Sequence, residues 1–176
     1  MSFNERFGDI RHRLLDRPTP MTFARVCRSL LEMWKEAPAR VNVDVVPYVA
    51  ESMATWPDEV LRYPGFMDPY WLEPTEHALG PLALMRELDL SYRYLGAGLV
   101  DALGRQPQMD GLRLLDLRSN ALDEGALLEL ADMAHLTGLR TLRLGGNAVD
   151  GSGEVAGAIR SSFGEAASFG ERDQVR

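Results

Sequence analysis

The chain has 176 residues, 45% of them hydrophobic, which is enough for a core of one domain to one and a half and excludes disorder throughout. A formal charge of −7 at pH 7 excludes a general nucleic-acid or anionic-membrane binder, because such proteins neutralise phosphates with a basic surface; a local basic patch stays compatible with it. The single cysteine, Cys27, excludes an intrachain disulfide and fits a reducing compartment.

The opening "MSFNERFGDIRHRLLDRP" alternates charged and apolar residues and lacks the apolar core of a secretory signal. No run approaches the ~18 apolar residues of a membrane span. A soluble cytoplasmic protein is the expectation. Phe3, Phe7, Ile10 and Leu14 mark one stripe of a first helix, broken by Pro18 and Pro20. The segment "TFARVCRSLLEMWKE" places Phe23, Val26, Cys27, Leu30, Leu31 and Trp34 at helical spacing, with Thr22 expected as N-cap. A third helix is predicted from about Asp44 to Thr55. Trp56 to Pro81 carries five prolines together with Tyr63, Phe66, Tyr70 and Trp71. It is predicted as an irregular, aromatic-packed connector, with Pro57 at the first position of a helix start, Asp58 and Glu59 in its first turn, and a short helix near Glu76–Leu79.

The remainder repeats. "MRELDLSYRYL" (85–95), "LRLLDLRSNAL" (112–122) and "LRTLRLGGNAV" (139–149) begin 27 residues apart both times. Each is apolar at positions 1, 4, 6 and 11: Met85, Leu88, Leu90, Leu95; Leu112, Leu115, Leu117, Leu122; Leu139, Leu142, Leu144, Val149. A further apolar column, Leu82, Met109 and Leu136, precedes each start by three residues. Position 9 holds Arg93, Asn120 and Asn147. Apolar residues alternate with other residues across positions 4 to 6, the period of a strand with one buried face. Each segment leads through a glycine-containing turn into a helical pattern: Leu99, Val100, Leu103; Ala126, Leu127, Leu130, Ala131; Val155, Ala156, Ile159.

These segments resemble leucine-rich repeats, L-x-x-L-x-L-x-x-N-x-L in units of ~20–29 residues, and the 27-residue period is similar to the longer, ribonuclease-inhibitor-like class. The resemblance covers roughly residues 82–160, a little under half the chain. It implies an α/β solenoid of three parallel strands with helices on the convex side and an asparagine ladder inside the stack, which Asn120 and Asn147 match and Arg93 does not. The resulting plan is a helical N-terminal cap (1–56), a connector rich in proline and aromatic residues (57–81), leucine-rich repeats (82–161) and a tail (162–176). A cap has a physical task, since an open solenoid end exposes apolar core and unpaired strand edges. The tail echoes "SFGE" at 162–165 and 168–171. Either Phe163 and Phe169 fold back over the last repeat or that edge stays open for a partner; the last few residues are expected to be disordered. "PDEVL" followed by "DPYWL", within 57–72, is similar to the opening of an F-box, but the chain before the repeats is too short to complete that module.

No catalytic, cofactor or metal constellation is legible. His12, His77 and His135 lie apart without ligand spacing, and Cys27 sits on an apolar helix stripe as a structural thiol. The glycines of "LGAGLVDALG" and "LGGNAVDGSG" lack the spacing and lysine of phosphate loops. Asp123 and Glu124 read as helix-start acids. The surface with interaction chemistry is the outward side of the repeat strands. Positions 3, 5 and 7 give the columns Glu87/Leu114/Thr141, Asp89/Asp116/Arg143 and Ser91/Arg118/Gly145, flanked by Arg86, Arg113 and Arg140 and by Tyr92 and Ser119. Asp89 above Asp116 is a like-charge pair unless Arg118 or Arg143 bridges it. The expected partner-binding residues are Arg86, Asp89, Tyr92, Arg113, Asp116, Arg118, Arg140 and Arg143. The expected function is a non-enzymatic adaptor or scaffold that binds a protein partner on the exposed sheet face, with no cofactor, no nucleic acid and no membrane. The alternative is a homo-oligomeric structural protein joined through the open C-terminal repeat edge or the aromatic connector. An enzyme with its catalytic part in the first 80 residues is a third reading, which no motif supports.

Overall fold

The computed structural model describes residues 2–170, apart from the side chain of Pro69; residues 171–176, where disorder was expected, lie outside the described residues. The chain divides into two compact units, Met1–Glu87 and Leu88–Arg176.

In the first unit, α1 (Phe3–Arg13) begins with a capping box: the Ser2 hydroxyl accepts from the Glu5 N–H and the Glu5 carboxylate accepts from the Ser2 N–H. Its predicted stripe is only partly covered, with Ile10 buried and Phe3, Phe7 and Leu14 half-buried. Helix α2 (Pro20–Glu36) buries Phe23, Val26, Cys27, Leu30, Leu31, Met33 and Trp34, which includes the whole predicted stripe. Each such side chain contributes ~1.5–3 kcal/mol when fully buried. The N-cap is Thr19 and not Thr22: the Thr19 hydroxyl accepts from the Thr22 N–H at 3.0 Å. Pro20, which has no N–H and a fixed φ, suits the first helical position, so the helix starts earlier than expected.

The third predicted helix also starts early. Pro38 opens α3 (Pro38–Arg40), a π-helical turn covers Val41–Val45, and α4 (Val46–Ser52) follows. Pro47 explains the wide turn: its ring conflicts with the carbonyl four residues back, and an i→i+5 turn, closed by the Val46 N–H on the Val41 carbonyl, moves that carbonyl aside.

In the connector, Pro57 is the extended cap of a 3₁₀ turn (Asp58–Val60) and not its first helical residue. The helix predicted near Glu76–Leu79 is absent; short helices occur instead at Asp68–Trp71 (α5) and, as 3₁₀, at Gly80–Leu84. The Ala78 carbonyl is drawn off by the Trp34 indole N–H (3.3 Å) and the Asn42 amide (2.9 Å). Gly80 lies so close to Asn42 that a Cβ would fall 2.0 Å from its Oδ1. The aromatic residues pack as expected: Trp71 is fully buried and donates to the Tyr63 hydroxyl at 2.7 Å, and Arg28 and Lys35 lie over the rings of Phe66 and Tyr70.

The boundary between the units falls within β1 (Glu87–Asp89). The strands β2 (Leu114–Asp116), β3 (Thr141–Arg143) and β4 (Ala167–Ser168) follow, in the order β1-β2-β3-β4. The sheet is parallel and alternates with α6 (Gly98–Gly104), α7 (Glu124–Ala131) and α8 (Gly153–Phe163). Four strands replace the three expected, because the tail returns and adds β4 beside β3. Leu115 faces Leu142 across β2 and β3, partners 27 residues apart, so the period in the sequence is the strand register. The columns Leu82/Met109/Leu136, Met85/Leu112/Leu139, Leu88/Leu115/Leu142 and Leu90/Leu117/Leu144 are all buried, while Leu95 and Val149 at position 11 are half-buried. Among the described residues no helix is long and apolar enough to cross a membrane.

Candidate partner-binding face

Two asparagines fix the turns that end the strands. Fully buried Asn120 donates to the Leu90 (2.8 Å) and Leu117 (3.1 Å) carbonyls and accepts from the Leu95 N–H (3.4 Å). Asn147 donates to the Leu117 and Leu144 carbonyls and accepts from the Asn120 and Leu122 N–H groups. Each side chain ties one turn to the next, which holds the residues between them at fixed height.

A charged cluster lies on the face so positioned. Register sets Asp116 beside Arg143. Arg118 engages the Asp116 carboxylate with two groups, Nε at 2.9 Å to Oδ1 and Nη2 at 2.6 Å to Oδ2, and Arg143 Nη1 adds a third contact at 3.3 Å. The expectation that Asp116 stands out from the sheet is therefore corrected: the residue is 1% exposed beneath the two guanidiniums, whose side chains keep 17% and 28% exposure. Burial works to raise its carboxyl pKa, but hydrogen bonds from the Arg118 side chain and N–H, the charge of Arg118 and the bond from Arg143 outweigh it, and the net shift is downward. Tyr92 lies against the cluster, with the Arg118 guanidinium 5.9 Å from its ring centre.

The other predicted residues behave differently. Asp89 is exposed and accepts from the Ser91 N–H (3.0 Å) and hydroxyl (2.7 Å), a turn that ends β1. Arg113 donates to the Gly138 carbonyl at 3.1 Å, and Arg140 is exposed. Arg86, in the first unit, donates to the Ala83 and Met85 carbonyls. Asp116, Arg118, Arg143 and Tyr92 thus form the cluster, and Arg86, Asp89 and Arg113 bond to other groups.

Tyr94 was missed in the sequence. It is 76% exposed and Tyr92 is 58% exposed, and both have positive φ, 56° and 59°. The left-handed region is a genuine outlier for bulky residues. The equivalent of Tyr92 two repeats on is Gly146, also at positive φ, which was the available signal for the strained turn.

Burial raises the Cys27 thiol far above its ordinary value, so it stays protonated and inert. No group of His, Cys, Asp and Glu among the described residues is arranged to hold a metal. A groove of ≈ 540 Å³ beside the starts of α7 and α8 is lined by Glu124, Asp150 and Glu154, but Asp150 is committed to the Ser152 N–H and hydroxyl. Comparison with known proteins finds no matching family model, no matching curated protein and no matching solved structure.

Proposed function

We propose that the chain is a short leucine-rich-repeat array with a helical cap, acting as a non-enzymatic adaptor or scaffold that binds a protein partner on the exposed face of its parallel sheet. The 27-residue register and the paired asparagines support the repeat reading. One observation carries the binding reading: the exposed rings of Tyr92 and Tyr94 stand on strained backbone, and Tyr92 lies against Arg118 of an arginine pair already locked on Asp116. Tyrosine and arginine are the residues that most often anchor interfaces, and a pre-ordered anchor loses little entropy on binding. The homo-oligomer reading has less to rest on. Trp56 and Trp71 are buried, Phe66 and Tyr70 are half-buried, and β4 pairs with the last repeat strand.

The test is affinity capture with the full chain, followed by measured affinity for the recovered protein. Tyr92→Gly with Tyr94→Gly removes both rings while relaxing the positive φ, so folding is retained. The expected result is a loss of at least about tenfold in affinity. A partner bound equally well by the double variant overturns the proposal.

A further inference from the structure

Charge divides the second unit by layer. Its strand segments, residues 88–94, 112–119 and 139–146, hold five Arg against two Asp, a net +3. The remaining segments, 95–111, 120–138 and 147–170, hold nine Asp and Glu against two Arg, a net −7. The second set contains α6, α7 and α8, and α7 packs against both of its neighbours, so the acids lie with the helix layer and the cations with the sheet. The acidic total of the chain conceals a basic sheet side.

The acids on that side do not cancel its cations. Asp116 is buried beneath Arg118 and Arg143, and two guanidiniums on one carboxylate leave one positive charge in excess. Arg113 donates to the Gly138 carbonyl, a neutral acceptor that leaves its charge in place, and Arg140 is exposed. Glu87, at the start of β1, is paired with Arg62 at 2.7 Å. Asp89 stays exposed, held by Ser91 where β1 ends. The tyrosines adjoin the cations through the backbone: the Tyr92 N–H donates to the Arg118 carbonyl at 2.8 Å. Strands stand ~4.8 Å apart, so β1 and β3 are separated by about 10 Å, the span of about three extended residues.

Resting on the sheet-face reading above, we propose that the partner presents a short acidic segment to this side. An apolar or aromatic side chain packs on Tyr92 and Tyr94, and carboxylates about three residues away meet Arg143, Arg113 and Arg140. Charge complementarity selects the sign of the partner, and the planar guanidinium matches a carboxylate with paired hydrogen bonds. A nucleic acid suits the site less well. It is a long polyanion that would run past the basic strands onto the acidic segments beside them, within the ~8–10 Å reach of their field.

The experiment pans a library of random peptides, about a dozen residues long, against the full chain. The expected binders place Asp or Glu about three residues from an aromatic or aliphatic side chain. Their affinity falls at least about tenfold between ~0.05 and ~0.5 M NaCl, and again with Arg113→Glu plus Arg140→Glu, but is unchanged by Glu129→Lys on α7. Thermal melts check folding, and the single variant Arg140→Glu, at an exposed position, keeps the test open where Arg113→Glu disturbs the bond to Gly138. Binders that need both tyrosines but carry no acidic residues, or that ignore salt and the arginine reversals, overturn the acidic partner and leave the sheet-face reading standing. Binders indifferent to Tyr92→Gly with Tyr94→Gly overturn both. Tight binding of an oligothymidylate of about twenty nucleotides, lost with Arg140→Glu, also overturns the proposal by assigning this side to nucleic acid.

Discussion

Asp116 shows how a residue in an outward-facing strand position becomes structural. Its carboxylate is desolvated, and it stays ionised because Arg118 and Arg143 surround it. Removing one partner of a fully buried pair costs ~3–5 kcal/mol; with both guanidiniums partly solvated, Asp116→Asn is expected to cost roughly 2–3 kcal/mol at pH 7. The pH dependence follows from the sign of the shift. The folded-state pKa lies below the unfolded value of about 3.9, so the stability from this group is present above about pH 4 and is lost as pH falls through the folded pKa. Thermal melts at pH 7, 4 and 2.5 check this: the gap between the wild type and Asp116→Asn should be widest at pH 7 and close at the acid end. A constant gap would mean that the carboxylate is neutral or unpaired in the fold. Asp116 is for the same reason a poor probe of the proposed partner binding, and the exposed tyrosines serve better.

At the scale of elements, the turns after β1 and β2 depend on Asn120 more than on any propensity of their own residues. Asn120→Ala leaves the Leu90 and Leu117 carbonyls and the Leu95 N–H without this partner, each costing about 1–3 kcal/mol where no water replaces it. A loss of roughly 3 kcal/mol, seen as a lower urea midpoint, is expected, with a smaller loss for half-buried Asn147→Ala. This element was legible in advance because a ladder repeats: Asn120 and Asn147 stand 27 residues apart, and the register turns that interval into adjacency. Single events were less legible. The start of α2 at Pro20 and the π-turn before Pro47 each rest on one proline acting on its neighbours, with no periodic signal to mark them. The cover over Asp116 was half legible, since its column already contained Arg143, but spacing cannot show that two guanidiniums close over one carboxylate. Tyr94 escaped because its importance lies in backbone conformation and exposure, which apolar periodicity does not report.

For the molecule as a whole, the consequential feature is how the second unit ends. The tail reads as either folded back or open, and no alternation of apolar residues marks "AS" at 167–168 as a strand. In the structure, Gly164 ends α8 at positive φ and β4 pairs with β3, aligning Leu142 with Ala167 and Arg143 with Ser168. The Leu144 N–H donates to the Ser168 carbonyl at 2.9 Å, and Phe169 packs against Gly151 beneath Arg160, whose guanidinium lies 5.0 Å from the ring centre. Ending the chain after Phe163 keeps α8 and removes these contacts. The lost backbone bonds, at about 1 kcal/mol each, and the lost aromatic packing together amount to roughly 2–4 kcal/mol. A second effect follows from geometry: β3 becomes an unpaired edge, and a bare edge recruits strands from other molecules. The truncated chain is therefore expected to unfold at lower urea and to show a scattering mass that rises with protein concentration, while the full chain shows no such rise through this edge. A truncated protein that stays monomeric with an unchanged urea midpoint would show that β4 neither stabilises the last repeat nor guards it, and would return the open edge to the list of docking surfaces.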